Sequence, residues 1–193
     1  MVGGCHVISV TPCGTSPIVY DPVVLDWLDA TLKDITTNDP DHYVVVLTHP
    51  MIYNTVYGSL LGNYWATDDA RFIDILKTYP QVMTFSGHLH FPLNDPRIVW
   101  QGDFTAFGCA STSYMAIENG GYENMLSATV MNDAGEYSQG ILLQFDESGN
   151  ARATRMDFYH QEKPYIAVVK DGAGIGRTSL LPAKSSVIGT MQY

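Results

Sequence analysis

The stretch "VMTFSGHLHFP", Val82 to Pro92, runs from an apolar segment through a glycine into two histidines one residue apart, and closes on a proline. The apolar run is too short for a helix and has the pattern of a strand buried on both faces. Gly87 lets the backbone turn sharply at its end. On an extended strand, His88 and His90 would share one face.

Upstream, "YVVVLTHP" is a second buried strand of the same kind, ending at His49-Pro50. The stretch "MIYNTVYGSLLGNYWA" after it reads as a long loop, and Thr67 is expected to cap the helix "DDARFIDILKTY", which Pro80 stops. Nearer the start, Val2 to Val10 is β-rich. Asp21-Pro22 then supplies a helix cap and a proline for the first turn, and Leu25, Leu28, Leu32 and Ile35 follow at helical spacing. Residues 1–90 therefore read strand, helix, strand, helix, strand, an α/β pattern with a parallel sheet. The second half is antiparallel and β-rich. Its strands are "IVWQGDFTAFGCAST", "GILLQFDESGNARATRMDFYH" and "YIAVVKD", with "ESGN" as a hairpin turn. From Gly172 the tail is loop-like.

The 193 residues suffice for one domain with an ordinary core. A net charge of -10 argues against nucleic acid as a bulk partner, although a bound dication would override that field for a small phosphate ester. No stretch approaches the roughly 18 apolar residues that span a bilayer, so no membrane partner is expected. Cys5, Cys13 and Cys109 form no close-set pair and indicate neither a disulfide framework nor a cysteine-based zinc site.

His49, His88 and His90 each stand where an apolar strand ends, and ligand sites in α/β sheets form at the carboxyl ends of strands. A lone strand-end histidine is usually a satisfied polar residue. Three of them at two strand ends argue for a site binding a divalent metal, since imidazole suits such ions near neutral pH. A single zinc held by three histidines would require all three rings to meet at one point. His6, His42 and His160 lack this setting and read as structural or solvated. No carboxylate motif lies near the histidines: Asp68 and Asp69 open a helix and Asp95 sits in a turn. Cys109, between Gly108 and Ala110, has the setting of a buried, inert thiol.

Thr-His-Pro at one strand end, with Ser-Gly-His-x-His roughly 40 residues on, resembles the calcineurin-like metallophosphoesterases over residues 1–160. The helix "LDWLDATLKD" before the first motif fits the likeness. The resemblance implies part of a four-layer α/β-β/α sandwich, with residues 161–193 adding a strand and a tail. It implies hydrolysis of a phosphoester substrate by two divalent ions, drawn from Mn, Fe and Zn, that clamp the phosphoryl group. His49 and His88 would serve one ion and His90 the other. The loop carrying Tyr53, Asn54 and Tyr57 would form a substrate wall, and Ser111 to Tyr114 would lie near the pocket. The family's Asp-x-His, Gly-Asp-x-x-Asp and Gly-Asn-His motifs cannot be read in this chain. The expectation is a C-terminal half whose partner is the missing N-terminal half, with a sheet face left open and a tendency to self-associate. The alternative is a non-catalytic binding or structural module that keeps the fold without an active metal centre.

Overall fold

Asp21 and Pro22 start the first helix, α1 (Pro22–Asn38), as their chemistry dictates: the Asp21 carboxylate accepts from the Val23 N–H at 2.8 Å, and the proline needs no partner at the first position. The computed structural model describes residues 5–61, 66–121, 124–146, 150–159 and 162–168. Before α1 comes β1 (His6–Val10), and after it β2 (Val44–Thr48). The segment following His49 holds two short strands, β3 (Met51–Ile52) and β4 (Ala66–Thr67), paired in parallel, where the sequence reads as loop. Then come α2 (Ala70–Thr78) and β5 (Val82–Ser86). The cap of α2 is Asp69, not Thr67. Asp69 accepts from the backbone of Arg71 and Phe72, while Thr67 belongs to β4 and donates its hydroxyl to the Ile18 carbonyl.

The second half consists of β6 (Val99–Gln101), β7 (Thr105–Gly108), β8 (Ala116–Gly121), β9 (Asn124–Val130), β10 (Gln139–Phe145), β11 (Ala151–Asp157) and β12 (Glu162–Val168). The chain is thus a mixed α/β fold with one mostly parallel sheet and several antiparallel pairings. The five-stranded sheet has the order β1-β2-β5-β7-β6, with only β6 antiparallel. A separate meander joins β10, β11 and β12, and β8 pairs with β9. The β8–β9 hairpin was not anticipated from sequence. The β10–β11 hairpin was; residues 147–149 of its turn lie outside the described residues, but Asp146 and Asn150 exchange backbone and side-chain hydrogen bonds across its base. The strand expected after residue 160 is β12, on the same meander. His160 and the tail from Gly172 lie outside the described residues.

The parallel strands follow one another in sequence and in space. Right-handed crossovers then put α1 and α2 on the same side of the sheet. The helices do meet there: the Tyr79 hydroxyl donates to the Asp29 carboxylate at 2.7 Å, and Arg71 pairs with Asp26. Leu25, Leu28 and Leu32 of α1 and Phe72 and Leu76 of α2 are almost fully buried. Tyr20 stacks on Phe72 at 4.2 Å and bonds the Thr48 hydroxyl, which identifies the Val44-Val46-Thr48 side of β2 as the helix side. On the opposite side Met83 and Phe85 are buried, so β5 finds its cover within the chain. The exposed large hydrophobics on that side are at the β1–β2 end, where Val7 is 46% and Leu47 39% accessible.

Candidate functional site

β2 and β5 are adjacent and parallel, with Thr48 and Ser86 as register partners at their ends. The pairing runs one step further, as the Gly87 N–H donates to the His49 carbonyl at 3.1 Å. His49 and His88 consequently leave the sheet side by side. His88 Nδ1 lies 3.0 Å from His49 Nε2, and the ring centroids are 4.9 Å apart at 68°. An imidazole pair at this distance shares one proton, so at least one ring is neutral and accepts. His49 is exposed; partial desolvation first, and then the neighbouring His88 and His90, hold it below the ordinary histidine range, which favours its neutral form.

The spacing also tests whether an ion fits. Two nitrogens about 2.0–2.1 Å from one ion, at angles between octahedral and tetrahedral, stand about 2.9–3.4 Å apart. The 3.0 Å between His49 and His88 falls in that interval. Among the described residues, no group of three or more His, Cys, Asp or Glu side chains is arranged to hold an ion.

The histidine pair is not carried on an extended strand, as its spacing had led us to expect. β5 ends at Ser86, and His88 and His90 both lie in the left-handed region, at φ 75° and 55°. The Leu89 N–H donates to the Gly87 carbonyl at 3.0 Å, closing a three-residue turn centred on His88. Left-handed backbone at a residue with a side chain costs on the order of 1–3 kcal/mol, and such strain gathers at functional sites. Leu89 and Phe91 are buried, so this segment sends alternate side chains into the core and leaves the half-buried imidazoles on its other side.

His90 turns to a different partner. Its Nδ1 is 3.1 Å from the Tyr114 carbonyl, and the two rings lie 4.1 Å apart. A carbonyl only accepts, so Nδ1 carries the proton and Nε2 is the nitrogen with a free lone pair when the ring is neutral. Tyr114 thus touches the candidate site through both its carbonyl and its ring. Tyr53 and Asn54 lie on the loop past His49, both exposed, with Asn54 left-handed at φ 57°. Neither shares a hydrogen bond or ring contact with the three histidines among the described residues.

Burial pushes the Cys109 thiol up to about 12, the wrong direction for a nucleophile. His6 and His42 are structural: both bond the Asp39 carboxylate, at 2.8 and 2.5 Å. Asp95 holds Arg97 through paired bonds at 2.9 and 2.6 Å. Sequence reasoning passed over Arg97, Gly58 and Glu118, which carry no motif and matter only through what they pack against. No protein-family model matches this chain, and no curated protein matches it either.

Proposed function

We propose that this chain contributes to metal-dependent hydrolysis of phosphoester bonds, as part of a calcineurin-like α/β-β/α sandwich. The observation that carries the reading is the 3.0 Å approach of His49 Nε2 and His88 Nδ1 at the carboxyl ends of adjacent parallel strands. That is where α/β sheets bind ligands, and the spacing suits two ligands of one ion. His49 and His88 would hold one divalent ion, and Nε2 of His90 would serve a second. Manganese, iron and zinc all suit imidazole donors.

Divalent ions bound there supply charge stabilisation for phosphoryl oxygens and a water activated for attack. The chain's own residues do the holding. The Tyr114 carbonyl fixes the His90 tautomer, and left-handed turns carry both His88 and His90. The exposed Tyr114 ring and the Tyr53–Asn54 loop are the candidate substrate walls. The family's carboxylate ligand motifs cannot be read in this chain, so carboxylate ligands would have to come from a second polypeptide segment. The net charge of -10 is no obstacle to a small phosphate ester once a dication is present.

Cobalt titration followed by visible absorption tests the first step. Binding that is lost in both His49→Ala and His88→Ala supports the reading. A wild-type chain that takes up no cobalt, zinc or manganese removes it and favours the non-catalytic module. Aryl phosphate hydrolysis by the metal-loaded chain tests the second step, and a rate unchanged in His49→Ala and His88→Ala would remove it.

A further inference from the structure

Two left-handed histidines one residue apart persist only where the surroundings over-determine them. What holds them can be traced residue by residue. Leu89, between the pair, and Phe91, after it, both press on Gly58: a Cβ there would lie 2.1 Å from the Phe91 ring and 2.7 Å from Leu89. Gly58 sits at φ 90°, so its own conformation also favours glycine. The loop carrying Gly58 is fixed in turn by Tyr57. The Tyr57 ring stacks on Phe91 at 4.3 Å, and its N–H donates to the Arg97 carbonyl at 2.8 Å. The Arg97 guanidinium lies over the other face of Tyr57, 4.0 Å from the ring centre.

Arg97 therefore closes a three-layer stack of guanidinium, phenol and phenyl. It is gripped by Asp95 on one side and by both oxygens of Glu118 on the other, at 3.1 and 3.2 Å. The Glu118 N–H donates to the Tyr57 hydroxyl, closing the circuit. Three segments meet at this one cation: the loop after His49, the turn after His90 and strand β8. Glu118 lies two residues beyond Ala116, whose N–H donates to the His90 carbonyl at 3.1 Å.

We infer that Arg97 is the positioning residue of the histidine centre, acting through Tyr57 and Phe91 to fix where His88 and His90 stand; the inference rests on that centre being the working site. A flat, multidentate cation is needed for this. Lysine keeps the charge but neither stacks as a plane nor grips a carboxylate through two parallel N–H bonds.

The test compares wild type, Arg97→Met, Arg97→Lys and, as a control, Tyr79→Phe, which loosens α2 at the far end of the parallel strands. Long-range proton–nitrogen spectra of the imidazoles, taken without metal, are the first readout. Wild type should show His90 as a single Nδ1–H tautomer. Both Arg97 variants should show mixed tautomers at His90 and displaced His49 and His88 signals, and Tyr79→Phe should match wild type. Cobalt affinity is the second readout: it should fall about tenfold in the Arg97 variants and hold in Tyr79→Phe despite a lower Tm. Where Arg97→Met does not fold, Arg97→Lys is read in the same way. Imidazole spectra unchanged by either Arg97 substitution would overturn the inference. A wild-type chain that binds no cobalt would remove the metal reading, and the metal-free spectra would still decide the role of Arg97.

Discussion

Asp69 joins Tyr20 to the start of α2: one carboxylate oxygen accepts the Tyr20 N–H at 3.0 Å, while the other accepts from Arg71 and Phe72 at 3.1 and 3.2 Å. One side chain thus caps a helix and anchors the strand-to-helix loop that precedes α1. Asp69→Ala should cost about 1–2 kcal/mol for the cap, and about 1 kcal/mol more for the Tyr20 N–H left without its acceptor. Asp69→Asn should recover most of this. Urea unfolding of the three proteins measures it; a loss under about half a kcal/mol would show that the cap is idle.

Asp39 gives a pH dependence with a definite sign. Hydrogen bonds from His6 first and His42 second hold its carboxyl below the ordinary carboxylate range. A depressed folded value means the contribution is present above the ordinary value, about 3.9, and is lost as pH falls through the lower folded value. The Tm advantage of wild type over Asp39→Asn should therefore be full at pH 5 and vanish in the acid limb below about pH 4. An advantage that instead grew as the pH dropped below 4 would contradict the assignment.

Zinc should stabilise the chain through the histidine pair. At a free concentration a hundredfold above Kd, a ligand specific for the folded state adds about 2.7 kcal/mol. The resulting rise in Tm should disappear in His88→Ala and in His49→Ala, and should survive in His42→Ala, whose ring serves Asp39 instead. Differential scanning calorimetry with and without a chelator reads this directly.

Arg155 is buried in β11 and donates to the carbonyls of Leu93 and Asp95, at 2.7 and 3.3 Å. It fastens the meander to the turn that follows His90, alongside Gln139, which accepts the Leu93 N–H and donates to Asp157. Arg155→Met would strand those carbonyls and should cost about 3 kcal/mol. Chemical denaturation is the measurement, and a loss below about 1 kcal/mol would mean that water replaces the arginine.

The parallel core was legible because its signals are local. "VVVLT" and "VMTFS" are uninterrupted apolar runs, and Asp21-Pro22 marks the start of α1 without ambiguity. The α2 start was misplaced by two residues because Thr67 and Asp69 are both good caps in isolation. Only the packing of β4 decides between them. β8 and β9 were missed because "AIENGG" offers little apolar alternation, its glycines reading as turn rather than strand. At the site, the Gly-His-x-His frame led to the wrong backbone: His88 and His90 stand in left-handed turns and not on a strand. Whether His88 sits on a strand or in a left-handed turn depends on Leu89, Phe91 and Gly58 fitting together, a relation among distant residues that no spacing rule carries.

The separation of 39 positions in sequence does not set the distance between His49 and His88. Because Thr48 and Ser86 are lateral neighbours, the gap is measured off by the hydrogen-bonding repeat of the sheet, about 4.8 Å from strand to strand. Apart from the Tyr57–Gly58 stretch that packs on Leu89 and Phe91, the intervening excursion through β3, β4 and α2 behaves as a tether whose contour length is a free variable, provided that it delivers β5 beside β2. Insertions and deletions at the exposed parts of that excursion would leave the two imidazoles where they are. A one-residue slip of β5 against β2 would draw them apart by a full strand step of about 3.3 Å. Drift in this chain is cheap along its loops and forbidden across its ladder.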